Sequence, residues 1–166
     1  MTEVPYEAEA WDDEWEARSE TRGAPAGRVP PNALDAERAV LGGILLQNQA
    51  MNVVMEILER DAFYSEANAQ IFEAMRGLFG RSQPIDHVTL REELVTQQKL
   101  QAVGGDEYLL ALTESLPTVA NIEAHARIVS EKAVVRRLIT ACHELAASGN
   151  GDYGELEGFL AQAEAS

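Results

Sequence analysis

The chain of 166 residues contains one cysteine, two lysines and no long apolar run, and each scarcity excludes a class of protein. A single cysteine, Cys142, excludes an internal disulfide framework and suits a reducing compartment. No stretch approaches the ~20 apolar residues that cross a membrane, and the N-terminus is acidic, unlike a secretory leader. We therefore expect a cytoplasmic protein without a membrane partner.

Positive charge is also scarce, since 13 basic residues stand against 28 acidic ones and give a net charge of -15. Such a chain repels phosphate backbones, so we expect no tight binding of DNA. The two lysines, Lys99 and Lys132, follow Gln98 and Glu131. The Gly-Lys-Ser/Thr loop that cradles nucleotide phosphates is therefore missing, and we expect no ATP hydrolysis by this route.

The residue types that carry catalysis or bind metals do not converge in this sequence. His125 and Cys142 would lie too far apart along one helix to share an ion within a chain. The adjacent acids Glu92 and Glu93 would point in different directions on a helix, which argues against a general acid-base pair. We assign no catalytic, cofactor-binding or metal-binding residue to this chain.

Composition divides the chain near Val29. Residues 1–28 are rich in Glu, Asp, Ala, Gly and Pro without a periodic apolar face, which is typical of a disordered acidic tail. Residues 29–117 contain five predicted helical segments, which indicate a compact five-helix globular subdomain. The apolar stripes expected to form its core are Leu34, Leu41, Ile44 and Leu45 in the first segment, Met51, Val54, Met55 and Leu58 in the second, Ile71, Met75, Leu78 and Phe79 in the third, and Leu109, Leu112 and Leu116 in the fifth. Gly42 and Gly43 in the first segment indicate close packing against another helix.

Polar residues and helix breakers indicate where these helices begin and end. Asn32, Ser65 and Asp86 are candidate N-caps of the first, third and fourth helices. The fourth helix is expected to reach Gln98, and Pro117 is expected to stop the fifth helix at Leu116. No segment shows the alternation of a strand, so the fold class is predicted to be all-α.

Residues 118–166 predict a helical hairpin. No Gly or Pro occurs from Val119 to Ser148, which permits one helix of roughly 30 residues and ~45 Å. The Gly149-Asn150-Gly151 sequence suits a C-cap and a reversal. A second apolar stripe then predicts a returning helix, with Leu156, Phe159, Leu160 and Ala163 on its apolar side.

The long helix carries two apolar rows. The first has a seven-residue repeat typical of coiled-coil seams and consists of Ile128, Val135, Leu138, Cys142 and Leu145. The second consists of Ile122, Val129 and Ala133. Because a returning helix covers only one narrow stripe, the first row predicts self-association with a second copy. The alternative is that the hairpin folds back onto the five-helix core.

Several motifs resemble the N-terminal domain of bacterial replicative DNA helicases of the DnaB family. The longest runs from Pro31 to Gly43 and reads PNALDAERAVLGG. Further matching motifs are Asp61–Tyr64, Gln70–Phe72, Pro84–Asp86 with Val88–Leu90, Gly104–Gly105 with Tyr108–Leu109, and Asn121–Ile122 with Ala126–Val129. The resemblance covers about residues 29–166, and the acidic tail lies outside it.

This resemblance implies an all-helical domain that precedes a RecA-like motor, which uses ATP and magnesium to unwind DNA. The motor is absent from these 166 residues. In the family, hairpins pair into dimers that form a hexameric collar, and the collar binds primase; a helicase loader is a further candidate partner. Ile122 and Ile128 at the start of the hairpin are our candidates for contact with primase.

Two other functions remain compatible with the residues alone. An independent regulator or decoy of the helicase could be built from the same module. A small helical enzyme with a spatially assembled site is the third hypothesis, and the absence of catalytic motifs argues against it.

Overall fold

The computed structural model describes residues 29–114 and 121–150, together with Glu157 and Ala161. The chain divides into two units, Met1–Pro30 and Pro31–Ser166, and every helix described below belongs to the second. The predicted tail, the segment that holds Leu116 and Pro117, and the apolar stripe of the returning helix lie outside the described residues. Glu157 and Ala161 themselves are helical.

The described residues form six α-helices and no strand, which confirms the all-α prediction. A single 3₁₀ turn, Arg60–Ala62, follows the second helix. The helices are α1 Leu34–Leu46, α2 Ala50–Ile57, α3 Glu66–Gly80, α4 His87–Thr96, α5 Gly105–Glu114 and α6 Ile122–Asn150.

Two of the three predicted N-caps are confirmed. The Ser65 side chain accepts a backbone hydrogen bond at the start of α3. Asp86 accepts the Thr89 N–H at 2.9 Å, and the Thr89 hydroxyl accepts the Asp86 N–H at 3.0 Å, so the two ends of a capping box are closed. The prediction for Asn32 is wrong, because the cap position of α1 is Ala33, which makes no side-chain cap bond.

Two helix ends can be compared with the predicted positions. Helix α4 was expected to reach about Gln98 and ends at Thr96, because Gln98 adopts a left-handed conformation (φ 57°) in which the α-helix does not continue. Helix α6 extends through Gly149 to Asn150, so it ends within the Gly149-Asn150-Gly151 segment that was predicted to terminate it. The break at Gly104 and Gly105 is confirmed by positive φ values at both residues.

The apolar stripes predicted for α1 to α5 meet in one core. The rings of Phe63 and Phe72, both members of this core, lie 5.0 Å apart. Met55, which was predicted on the buried stripe of α2, is instead exposed. The predicted stripe residues that are buried include Leu41, Ile44, Met51, Val54, Leu58, Ile71, Met75, Leu78, Leu109 and Leu112.

The first half of α6 packs on this core, against α1, α2 and the 3₁₀ turn. Ala126, Val129 and Ala133 are buried along it. A Cβ atom added to Gly43 would lie 2.7 Å from Cδ1 of Ile122, so the close helix packing predicted from the glycines is confirmed. The core therefore covers the second apolar row, as the alternative interpretation of the hairpin required, and leaves the first row to be explained.

Candidate interaction surface on the long helix

The largest set of exposed apolar side chains in the described residues lies on α6. Leu138 is 60% exposed and Val134 is 52% exposed. We call this set the α6 apolar face, and its members are Ile128, Val134, Val135, Leu138 and Ile139. Isolated exposed apolar residues are ordinary on protein surfaces, but a group of five on one helix indicates a surface that meets another apolar surface.

The α6 apolar face points away from the globular subdomain. At 3.6 residues per turn, Ala126, Val129 and Ala133 lie on one side of the helix, and the row from Ile128 to Leu138 lies on the opposite side. The helix thus uses one side to join its own core and presents the other outwards.

The distal part of α6 is almost uncharged. Between Leu138 and Asn150, Glu144 is the only residue with a formal charge at neutral pH. The basic residues of the helix lie nearer its start, where Arg127 pairs with Glu123 on the same helix at 2.7 Å. A weakly charged, apolar helix end is suited to packing against another helix.

The predicted self-association residues share this outward side. Ile128, Val135, Leu138 and Cys142 are exposed, and Leu145 is half-buried. Val134 and Ile139 were missed, because a strict seven-residue repeat defines a narrower stripe than a straight helix exposes. Each lies four residues from a predicted member, Leu138 and Val135 respectively, and this spacing was the available signal.

The two residues predicted to contact primase differ in accessibility. Ile128 lies on the α6 apolar face. Ile122 is half-buried and packs against the core beside Gly43, so much of its side chain is already in use.

Arg136 joins α6 to two distant parts of the chain. Its Nη1 donates to the Pro31 carbonyl at 2.9 Å, and its Nη2 donates to the Ala62 carbonyl at 2.6 Å. Its guanidinium carbon lies 5.7 Å from the centroid of the Tyr64 ring, within cation-π range. The neighbouring Arg137 reaches Asp61 at 3.4 Å. We call the three contacts of Arg136 the Arg136 clasp.

A buried carboxylate supports the loop on which the clasp rests. Glu37 is 1% exposed and accepts the backbone N–H groups of Tyr64 at 2.7 Å and Ser65 at 3.3 Å. It also accepts the Asn68 side-chain N–H at 2.8 Å, and the Tyr108 hydroxyl donates to the Asn68 oxygen at 2.7 Å. Helices α1, α3 and α5 and the loop before α3 therefore share one polar network.

No role was predicted for Arg136 or Glu37, although their spacing from neighbouring apolar residues indicated one. Leu34, Glu37, Leu41 and Ile44 follow one another at three and four residues, which places a carboxylate on a core stripe. Val129, Ala133 and Arg136 have the same spacing, which places a guanidinium on the side of α6 that packs against the core. A buried charge has to be hydrogen-bonded, so both positions indicated internal polar contacts.

Metal ligands do not gather in the part of the chain that is described. Within residues 29–114 and 121–150 there is no group of three His, Cys, Asp or Glu side chains placed to hold a metal ion. None of the helices described is both long and apolar enough to cross a membrane.

The described residues thus form an all-α domain, in which a helical globular subdomain continues into a long helix with an outward apolar face. The model of the DnaB-like helicase N terminal domain matches residues 29–131, more than half of the chain. The chain belongs to this family, and the resemblance drawn from its motifs is confirmed.

Known relatives and solved structures agree with this assignment. The chain is 42% identical to the replicative DNA helicase DnaC of Bacillus subtilis over 82% of its own length and 30% of that protein. It is 44% identical to the replicative DNA helicase DnaB of Mycobacterium leprae over 69% of its length and 19% of that protein. The chain thus spans less than a third of either helicase.

Two solved N-terminal domains have the same fold. That of the DnaB helicase from Mycobacterium tuberculosis matches with a TM-score of 0.79 and 37% identity, covering 82% of this chain and 96% of that one. That of the DnaB helicase from Helicobacter pylori, described with its interactions with primase, matches with a TM-score of 0.63 and 27% identity, covering 70% and 90%.

Proposed function

We propose that this chain is the N-terminal assembly and primase-recruitment domain of an ATP-dependent replicative DNA helicase that unwinds duplex DNA in the cytoplasm. The observation that carries the proposal is the α6 apolar face, which is exposed on the side of the helix away from the core. The relatives support the parent activity, since they are replicative helicases of which this chain matches the N-terminal domain. We assign ATP and magnesium to the motor, because the sequence contains no Gly-Lys-Ser/Thr phosphate-binding motif.

Self-association through the α6 apolar face is energetically feasible. Full burial of an aliphatic side chain contributes about 1.5–3 kcal/mol, and these side chains are roughly half exposed, so each gains about 1 kcal/mol. Five from each copy together contribute about 10 kcal/mol, which exceeds the lower part of an association penalty of the order of 4–15 kcal/mol. We therefore expect a weak dimer of this chain. The motor ring of the parent protein would raise the effective concentration of the helices and stabilise a hexamer.

The substitution Leu138→Glu tests the dimer, because it places a charge at the most exposed position of the α6 apolar face. We expect sedimentation velocity to show a concentration-dependent dimer for the wild type and a monomer for Leu138→Glu, with equal helicity. Val88→Glu is the matched control, since Val88 is 67% exposed but lies on α4. A dimer unaffected by Leu138→Glu would contradict this interface.

Recruitment of primase is proposed for the start of the long helix, with Ile128 preferred to Ile122 because its side chain is exposed. The Helicobacter pylori relative, described with its interactions with primase, supports the choice of partner. Ile128→Asp should weaken binding of the helicase-binding domain of primase in calorimetry. Leu110→Asp is the control, because Leu110 on α5 is similarly exposed. Equal affinities of Ile128→Asp and Leu110→Asp for this primase domain would show that Ile128 does not contact primase.

The Ile128 test has to be separated from dimerisation, because the same residue belongs to the α6 apolar face. Titrations of Ile128→Asp and wild type in the Leu138→Glu background compare monomers with monomers. A loss of affinity that persists there assigns Ile128 to primase, and a loss that vanishes assigns it to self-association.

A further inference from the structure

The Arg136 clasp lies where α6 leaves the globular subdomain. Ala133 is the last buried residue of the helix, and Arg136 follows it by one turn. From Arg137 to Asn150 the helix continues for about 20 Å. Because Leu138, Ile139, Cys142 and Leu145 follow this point, the direction of the helix at Arg136 determines where the distal part of its outward side points.

We propose that Arg136 is the positioning residue that sets the direction of the long helix, and thereby the geometry in which two copies pair. This inference rests on the proposed self-association through the α6 apolar face. Given a rise of 1.5 Å per residue, a tilt of about 10° at Arg136 would move Leu145 by about 2 Å and the end of the helix at Asn150 by about 4 Å. The displacement at the helix end approaches the width of a side chain, so the distal parts of two paired helices would no longer interlock.

The chemistry of arginine suits this role. A planar guanidinium donates to two carbonyl groups in different directions while its face lies over an aromatic ring, whereas a lysine ammonium does not stack in this way. Here the carbonyls belong to Pro31, just before α1, and to Ala62, in the 3₁₀ turn. One side chain on α6 therefore contacts segments 105 and 74 positions away in the sequence.

The parts that the clasp contacts are themselves held in place. Tyr64, over which the guanidinium lies, is held through its backbone N–H by the buried carboxylate of Glu37. The Ala62 side chain is buried, and its backbone N–H donates to the Glu59 carbonyl at 3.1 Å. The Ala62 carbonyl and the Tyr64 residue are thus held independently of Arg136, and they favour one orientation of the guanidinium and hence one direction of the helix axis.

The distance from the body to the distal helix tests the proposal directly. Nitroxide labels on Cys142 and on a cysteine introduced by Glu107→Cys, an exposed position of α5, report that distance in a double electron-electron resonance measurement. All variants carry Leu138→Glu, so that the labels report one molecule. We expect one narrow distance distribution for this parent, a broader or shifted one for Arg136→Gln, and an intermediate one for Arg136→Lys.

Arg127→Gln is the matched control, because Arg127 lies on the same helix and pairs only with Glu123 among the ion pairs of the described residues. Its distribution should equal that of the parent. Circular dichroism of each variant ensures that a broader distribution reflects helix direction and not lost helix. Identical distributions for Arg136→Gln and the parent would overturn the proposal, as would an equal broadening by Arg127→Gln.

Pairing is then measured with Leu138 restored and without labels. Arg136→Gln should weaken the dimer by about fivefold or more, while Arg127→Gln leaves it unchanged. Because the distance measurement uses monomers, its outcome remains valid even if the wild type does not dimerise. A wild type that does not dimerise would refute the proposed self-association and leave the role of Arg136 in helix direction intact. A dimer of unchanged affinity in Arg136→Gln, despite a changed helix direction, would refute the link between direction and pairing.

Discussion

Replacing Glu37 with glutamine should destabilise the globular subdomain although it changes no apolar contact. The carboxylate accepts three N–H groups, from Tyr64, Ser65 and the Asn68 side chain. A glutamine amide has one oxygen and one NH₂ group, so its NH₂ would face at least one of these donors. The expected outcome is one buried donor without an acceptor, at the cost of about 1–3 kcal/mol.

A larger loss is expected for Glu37→Ala, which removes the acceptor of all three groups and leaves a void. At about 1 kcal/mol or more for each of the three groups, the loss is at least about 3 kcal/mol, a large part of the 5–15 kcal/mol that stabilises an ordinary domain. Asp35→Asn is the control on the same helix, because the Asp35 side chain is fully exposed and makes one surface pair with Arg38. Its effect should stay within about 0.5 kcal/mol.

Urea unfolding followed by circular dichroism measures these differences, at concentrations where the chain is monomeric. Hydrogen exchange adds a local readout, since the amides of Tyr64 and Ser65 should lose protection in Glu37→Gln. A free energy of unfolding for Glu37→Gln within about 0.5 kcal/mol of the wild type would refute the argument that the network needs a carboxylate.

Substitutions at three further positions test local features. Asp86→Ala should reduce the free energy of unfolding by about 1 kcal/mol at neutral pH. The hydrogen bond from the Thr89 N–H holds the pKa of Asp86 below its ordinary value of 3.8. The difference between variant and wild type should therefore persist above pH 3.8 and disappear as the pH falls through the lowered pKa. Gly43→Leu should cost about 1–3 kcal/mol of stability by forcing the Ile122 side chain away from α1. Gly43→Ala should be nearly neutral, because the better helix propensity of alanine offsets its close contact with Ile122. A Gly43→Leu variant as stable as the wild type would contradict the close approach of Ile122 to Gly43. Gly104→Ala should destabilise by about 1–3 kcal/mol in thermal unfolding, since φ is +101° and the added Cβ would meet Cβ of Tyr108 at 2.9 Å; an unchanged midpoint would contradict this.

Local signals in the sequence were sufficient for most of the helices. Ser65 and Asp86 cap α3 and α4 because short oxygen side chains reach the free N–H groups of a first turn, an interaction that depends on neighbouring residues alone. The end of α4 depends on the left-handed conformation of Gln98, which no glycine marked. Gly149 stays helical because a single glycine weakens a helix without terminating it.

The parts that could not be predicted depend on residues far apart in the chain. The periodicity of α6 revealed two apolar rows, but only the packing against Gly43 shows which one the core covers. Likewise, the spacing that places Glu37 and Arg136 on core stripes does not identify their partners. Most of those partners are backbone groups, of Tyr64, Ser65, Ala62 and Pro31, and backbone groups carry no sequence signature.

The most direct test of the central claim is the rate at which Cys142 reacts with a small thiol reagent as protein concentration is raised. Cys142 is exposed in the single chain and lies on the outward side of α6, in the predicted seam between two copies. If a second copy covers this side, the rate constant should fall with concentration as the dimer forms, and Leu138→Glu should abolish the fall. A rate constant that stays the same from the low to the high micromolar range would contradict the claim that the long helix is an assembly surface.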